Sequence, residues 1–150
     1  MVFHFNVPPR RWVDELHASG ARVWQQAASV DRAVAAADIG MDAIVAQGLQ
    51  GGGHNKSTTR TMQLVRRVIR AVSPLMVLAS GGIATGADVA SALGNGADGV
   101  WIGTRLRSQP AEVAPEQATN RAENSTVTSS APHGGRGRPR RGVMALAARE

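Results

Sequence analysis

The sequence has no cysteine, no tyrosine and few aromatic residues, namely two phenylalanines and three tryptophans. The absence of cysteine excludes disulfides, thiolate-bound zinc and thiol nucleophiles, and we predict no metal site. No apolar run approaches the roughly 18 residues of a membrane helix. Met1 leads directly into Val-Phe-His-Phe without the basic region of a signal peptide, so we expect a soluble, cytoplasmic protein.

Acidic residues are outnumbered, with 17 Lys+Arg against 11 Asp+Glu and a net charge of +6. The excess is densest between Gly134 and Gly142, which hold four arginines and no acid. Within this run the Arg136–Arg141 segment resembles an AT-hook, but it occurs once and has no aromatic or further basic patch beside it. We therefore expect a solvated tail without nucleic-acid binding.

The 150 residues divide near Ser108. Before it, apolar runs alternate with turn signals; after it, the 42 residues 109–150 contain four prolines and four residues of the Leu, Ile, Val and Phe types. Such a segment buries too little apolar surface to offset its ordering entropy. We predict a folded domain over residues 1–108 and a mostly disordered tail over 109–150, a composition that also fits a change of reading frame.

Residues 1–108 alternate between short apolar strands and amphipathic helices. The predicted strands are Val2–Phe5, Arg22–Ala27, Ala43–Ala46, Leu75–Ala79 and Gly99–Ile102. The predicted helices begin at Pro8-Pro9, after Ser29, at Thr61 and after Thr85, which has capping-box spacing to Asp88. Continuous apolar strands between such helices indicate an α/β protein with a parallel sheet. The segments Gly40-Met41-Asp42 and Gly96-Ala97-Asp98 are similar and each precedes a predicted strand, which indicates a repeated βα unit.

Glycines cluster where the predicted strands end, which is the ligand-binding edge of a parallel α/β sheet. The pair Gly81-Gly82 follows the fourth strand and leads into a helix, and Gly103-Thr104 follows the fifth. Glycine lets backbone N–H groups approach an anion closely, and a helix N-terminus favours negative charge. These two loops therefore predict a phosphate site, with ordinary turn glycines as the alternative.

Three polar side chains at strand ends are candidates for chemistry. His54 follows three glycines, and its imidazole could take or give a proton near neutral pH. Gln47 ends the third strand and could hydrogen-bond the edge of a heterocycle. His4 ends the first strand and could face the same mouth. The alternative in each case is an exposed or structural side chain.

Four segments, in order, resemble the flavin-dependent nitronate monooxygenases, formerly called 2-nitropropane dioxygenases. They are Val2-Phe3-His4-Phe5, Ala46-Gln47-Gly48 with Gly52-Gly53-His54, Ala79-Ser80-Gly81-Gly82-Ile83, and Gly96 to Arg105. Together they span about residues 2–107. Glycine-rich phosphate loops occur in many FMN barrels, whereas the Gln-Gly and Gly-Gly-His pair is much more specific.

The resemblance implies a (β/α)8 TIM barrel that holds FMN and oxidises alkyl nitronates with O2 to a carbonyl compound and nitrite. It implies His54 as the active-site base or hydrogen-bond donor and His4 as part of the substrate pocket. The residues that it implies for FMN are Gln47 and Gly52 at the ring or ribityl chain, Gly81, Gly82, Gly103 and Thr104 at the phosphate, and Trp101 and Ile102 nearby. The implied partners are a small nitronate and O2, without a membrane.

The sequence departs from the family pattern at Asn6, at Gly51 and at Asn55-Lys56. Strands one to three of the barrel are absent, so we predict a partial barrel of strands four to eight. Open edges in such a sheet favour self-association. Two alternatives stay open: a flavin-dependent enoyl-acyl-carrier-protein reductase, which shares the Gly-Gly-His element, and a non-catalytic barrel remnant.

Overall fold

The computed structural model describes residues 1–53 and 55–103. His54, Thr104 and the predicted tail at 109–150 therefore lie outside the described residues. The elements, in chain order, are β1 Val2–Phe3, α1 Arg10–Ala18, β2 Trp24–Ala27, α2 Val30–Asp38, β3 Ala43–Gln47, α3 Thr61–Val72, β4 Met76–Ser80, α4 Gly86–Gly94 and β5 Gly99–Trp101. Their types and order match the sequence-based prediction, and their ends differ from it by at most two residues.

The strands form one parallel sheet in the order β1-β2-β3-β4-β5. Each strand follows its predecessor through a helix, which is the βα connection that parallel strands require. Within the described residues, β1 and β5 each pair with one neighbour, so the five strands do not close into a barrel. None of the described helices is long and apolar enough to cross a membrane.

The two faces of the sheet bury different side chains. Ile44, Val77 and Val100 belong to the core cluster that includes the helix residues Leu64 and Val68. The opposite face carries residues such as Val45 and Leu78, which are paired in register and fully or almost fully buried. On this second face the Trp24 and Trp101 rings meet edge to face, with centroids 5.9 Å apart. The edge-to-face contact with Trp24 thus holds Trp101 on the same face of the sheet as Val45 and Leu78.

The repeated glycine motif has one structural role in both copies. Gly40 and Gly96 end α2 and α4 with φ of 89° and 95°, a conformation that favours glycine. Two residues later, an aspartate directly precedes the next strand and bonds to the backbone of the neighbouring one. The Asp42 carboxylate accepts a hydrogen bond of 2.7 Å from the Val23 N–H, and the Asp98 carboxylate accepts one of 2.9 Å from the Val77 N–H.

Asp42 also accepts hydrogen bonds from His17 and Arg22, at 2.9 Å each. Burial alone would raise the pKa of Asp42, but the Val23 N–H, His17 and Arg22 outweigh burial and hold it below its ordinary 3.8. Because the folded pKa is depressed, this stabilisation is present above pH 3.8 and is lost as the pH falls through the folded pKa.

We expect Asp42→Asn to lower the free energy of unfolding by about 1–2 kcal/mol at pH 7, since the negative charge is removed and the amide nitrogen that replaces one oxygen cannot accept a hydrogen bond. Urea titrations at pH 7 and at pH 3 measure this. The difference between variant and parent should shrink at the lower pH. Asp38→Asn, at an exposed residue that ends α2, is the matched control. Equal losses in the two variants would contradict the role of Asp42.

Candidate functional site

A cleft of about 600 Å³ lies at the carboxyl ends of β3, β4 and β5. Its volume is within the range of small-molecule and cofactor sites. The residues that line it are Gln26, Gln47, Gln50, Gly51, Gly52, Gly53, Ser80, Gly81, Gly82, Ile83, Ala84, Trp101, Ile102 and Gly103. The structure therefore brings together every described residue that the family resemblance implies for FMN, from Gln47 and Gly52 to the glycines of the fourth and fifth strand ends.

The loop after β3 packs tightly against α3 and against the loop after β4. Gly48 is buried, and a Cβ there would lie 2.2 Å from the Thr61 Cα. The Gln50 Oε1 accepts a hydrogen bond from the Thr61 N–H at 2.8 Å, so a loop side chain caps α3, whose own N-cap residue makes no side-chain cap. The Thr61 hydroxyl lies 2.8 Å from the Gly81 carbonyl oxygen. These contacts fix both loops that line the cleft.

Asn55, in the same loop after β3, holds the glycine-rich segment 48–53 in place through hydrogen bonds. Its amide nitrogen donates to the carbonyl oxygens of Gly48 and Gly51, at 2.6 and 3.2 Å, and its amide oxygen accepts from the Ser57 N–H at 2.9 Å. A residue that departs from the family pattern thus has a local structural role. The sequence did not predict it, because the pattern gives no sign of which backbone atoms a loop amide will reach.

The loop after β4 offers backbone donors, but not in the way that the sequence suggested. Gly81 and Gly82 have φ of 97° and 74°. The N–H groups of Gly82 and Ile83 donate no hydrogen bond within the described part of the chain. The next two N–H groups, of Ala84 and Thr85, donate to the Asp88 carboxylate at 3.0 and 2.9 Å.

Asp88 therefore occupies the first turn of α4. The Asp88 N–H donates to the Thr85 hydroxyl oxygen at 3.2 Å, which together with the bond from the Thr85 N–H to the Asp88 carboxylate completes the predicted capping box. The same carboxylate also accepts from the Thr85 hydroxyl. Hydrogen bonds from the Ala84 N–H, and then from the side chain and N–H of Thr85, hold the pKa of Asp88 below its ordinary value. A negative charge already sits at this helix N-terminus, so an anion in the cleft would meet the Gly82–Ile83 backbone rather than the helix end.

A chain of polar side chains crosses the ends of β1, β2 and β3. The His4 Nδ1 lies 2.9 Å from the Gln26 Oε1, and the Gln26 amide nitrogen donates to the Gln47 Oε1. The Gln47 Nε2 in turn lies 3.4 Å from the Gly52 carbonyl oxygen. The sequence reasoning missed Gln26 and Gln50. The available sign for Gln26 was a polar residue one position before the end of β2, a weaker sign than Gln47, which ends the otherwise apolar β3.

A second, smaller cleft of about 170 Å³ shares Gln47 with the first. His4 and Phe5 line it together with two cationic side chains, Arg32 and Lys56, and none of its described lining residues is a carboxylate. His4 is exposed and lines this smaller cleft, not the larger one, so its place in a substrate pocket stays a prediction. The Gln47 carboxamide lies between the two clefts.

Comparisons with known proteins agree on a family. The sequence model of the nitronate monooxygenase family matches residues 1–149, so the match continues past Ser108 into the segment predicted as a tail. A Mycobacterium tuberculosis protein named as a monooxygenase is 44% identical over 109 residues, which cover 72% of this chain and 29% of that protein. A Staphylococcus aureus protein named as a nitronate monooxygenase is 34% identical over 142 residues, covering 86% of this chain and 40% of the relative.

Solved structures show the same likeness in the backbone. Nitroalkane oxidase from Streptomyces ansochromogenes superposes with a TM-score of 0.64 at 32% identity, over 67% of this chain and 32% of that one. FabK from Thermotoga maritima superposes with a TM-score of 0.65 at 36% identity, over 70% and 33%. The chain thus spans about a third of these longer proteins, which fits a partial barrel. With motifs, sheet and comparisons in agreement, this chain belongs to the nitronate monooxygenase family.

Proposed function

We propose that this chain carries the phosphate-binding and ring-binding half of an FMN-dependent oxidoreductase that oxidises alkyl nitronates with O2. The observation that carries the proposal is the cleft itself. It combines the N–H groups of Gly82 and Ile83, which donate to no atom of the described residues, with the Gln47 carboxamide, at the edge of the sheet where α/β folds bind ligands.

The described residues fit such a cofactor. A Cβ at Gly52 or at Gly103 would meet no atom of the described residues within 4 Å, so both glycines border the open space of the cleft that these residues form. The backbone donors of the Gly82 loop suit a phosphate dianion, and the Gln47 amide suits a heteroaromatic edge. Ile102 and Gly103, which directly follow β5, also line the cleft. When bound, FMN would accept electrons from the nitronate and pass them to O2.

The protein's own groups would bind, orient and hold a proton. Gln47 would orient the cofactor, since its amide lies at the boundary between the two clefts. Lys56 and Arg32 in the smaller cleft would attract a nitronate, which is an anion. His54, proposed from the sequence and from the family resemblance, would hold the proton at the substrate through its imidazole.

A second candidate is the enoyl-acyl-carrier-protein reductase reaction. The sheet superposes on FabK as well as on nitroalkane oxidase, so the backbone alone does not separate one flavin-barrel chemistry from another. The Phe-His-Phe segment at residues 3–5 favours nitronate oxidation. Oxygen uptake with a nitronate, compared with NADPH oxidation by an enoyl thioester, separates the two. Thioester reduction without oxygen uptake would overturn the nitronate assignment.

We expect Gly103→Ala to weaken FMN binding about tenfold without lowering stability, because its methyl group would enter the cleft without meeting an atom of the described residues. Fluorescence titration with FMN and urea denaturation measure the two effects. Gly86→Ala is the matched control, since a Cβ there also meets nothing within 4 Å and Gly86 does not line the cleft. Unchanged FMN affinity in Gly103→Ala would remove Gly103 from the binding wall.

A further inference from the structure

We infer that Gln26 is a positioning residue that sets the direction of the Gln47 carboxamide and, through the same chain of hydrogen bonds, the tautomer of His4. The inference rests on the proposed function for its consequence, because Gln47 is the side chain proposed to orient the flavin. Its structural content concerns this chain's own residues and can be tested without cofactor.

The donor and acceptor roles in this series of hydrogen bonds follow from its last group, the Gly52 carbonyl oxygen. The Gly52 carbonyl oxygen can only accept a hydrogen bond, so the Gln47 group that faces it is the amide nitrogen. The Gln47 oxygen then faces Gln26 and needs a donor, which the Gln26 amide nitrogen supplies. A flip of either amide would place two acceptors or two donors against each other.

The same reasoning extends to His4. With its nitrogen donating to Gln47, Gln26 presents its Oε1 to the imidazole, at 2.9 Å from Nδ1. An amide oxygen is an acceptor, so Nδ1 must carry the proton. His4 is thereby held in the Nδ1–H tautomer, which is the less favoured one in free histidine, and Nε2 is left as the acceptor of the ring.

This arrangement has a consequence for recognition. The Gln47 carboxamide turns its nitrogen toward the glycine segment that lines the larger cleft, so a ligand there meets a hydrogen-bond donor. When its imidazole is neutral, His4 in the smaller cleft offers Nε2 as an acceptor. Gln26 is half-buried and lines the larger cleft alone. Its amide nevertheless determines both the donor that Gln47 presents and the acceptor that His4 presents.

The first test is the tautomer of His4 in the cofactor-free protein, read from the long-range proton–nitrogen couplings of its imidazole. We expect the Nδ1–H pattern. His17 gives an internal reference in the same spectrum, because its Nε2 lies 2.9 Å from the Asp42 carboxylate. Finding His4 predominantly as Nε2–H would overturn the inference, and this measurement requires no variant to fold.

The second test compares Gln26→Met, which keeps the side-chain length and removes both hydrogen bonds, with Gln63→Met, at an exposed residue of α3. In Gln26→Met we expect His4 to revert to the Nε2–H pattern and the Kd for FMN to rise about tenfold, with neither change in Gln63→Met. In Gln26→Glu the carboxylate accepts from both neighbours, which reverses the Gln47 amide and gives a similar loss of FMN affinity.

The outcomes separate the inference from the proposed function. If the parent chain shows the Nδ1–H tautomer but binds no FMN, the positioning chain stands and the cofactor assignment fails. If the parent binds FMN and Gln26→Met leaves both the tautomer and the Kd unchanged, the positioning role fails and the cofactor assignment stands.

Discussion

Gly48→Ala is expected to destabilise this protein by about 3 kcal/mol or more, or to prevent its folding, which is the largest stability effect that we predict. The added Cβ would lie 2.2 Å from the Thr61 Cα and 2.4 Å from the Thr61 nitrogen. Both are backbone atoms at the start of α3, so relief requires the helix and the end of β3 to separate. That separation would break the Gln50 hydrogen bond to the Thr61 N–H as well.

Urea denaturation followed by circular dichroism measures this loss. Gly94→Ala serves as the control, because its Cβ meets nothing within 4 Å and glycine is unfavourable in a helix. We expect the control to gain about 0.5–1 kcal/mol. A Gly48→Ala protein with the parent's denaturation midpoint would show that β3 and α3 are not packed as described.

The second large effect is on turnover. We expect His54→Ala to lower kcat for a nitronate by about 10²–10⁴-fold, the usual contribution of a general acid or base, while FMN stays bound. The retained cofactor matters, because it separates a lost proton-transfer group from a lost binding site. Oxygen uptake and flavin absorbance after desalting measure the two quantities on one sample.

His133→Ala is the control for this experiment, since the sequence places His133 in the predicted tail. It should leave turnover unchanged. If His54→Ala turns over at the parent rate, His54 has no part in the mechanism and the proton must be held elsewhere, with His4 as the next imidazole to test.

Local patterns were sufficient to predict the fold. Leu64, Val65 and Val68 stand at the spacing of one helix face in the sequence, and all three are buried in the core cluster beside the sheet. Thr85 and Asp88 were identified as a capping box from spacing alone, and both halves of the box are present. These features depend on residues within one turn of each other, so the sequence contains the whole interaction.

The position of the candidate site was predictable from the sequence, whereas most of its hydrogen bonds were not. Gly81, Gly82 and Gly103 were placed correctly at one edge, because parallel strands end together. The hydrogen bonds of Gln26 depend on how the strands are paired in the sheet. That pairing brings Gln26 into contact with His4, which lies 22 positions earlier in the sequence, and with Gln47, which lies 21 positions later. The predicted capping box already placed Asp88 at the N-terminus of α4. The sequence analysis did not draw the consequence that its carboxylate takes up the Ala84 and Thr85 N–H groups, which a phosphate would otherwise use.

The most direct test of the central claim is a calorimetric titration of the purified chain with FMN and, separately, with riboflavin, which lacks the phosphate. If the Gly82–Ile83 backbone holds the phosphate, charged hydrogen bonds worth about 1.5–3 kcal/mol each should make FMN bind at least about tenfold more tightly. Equal affinities, or no binding of FMN, would contradict the assignment of this cleft as an FMN site.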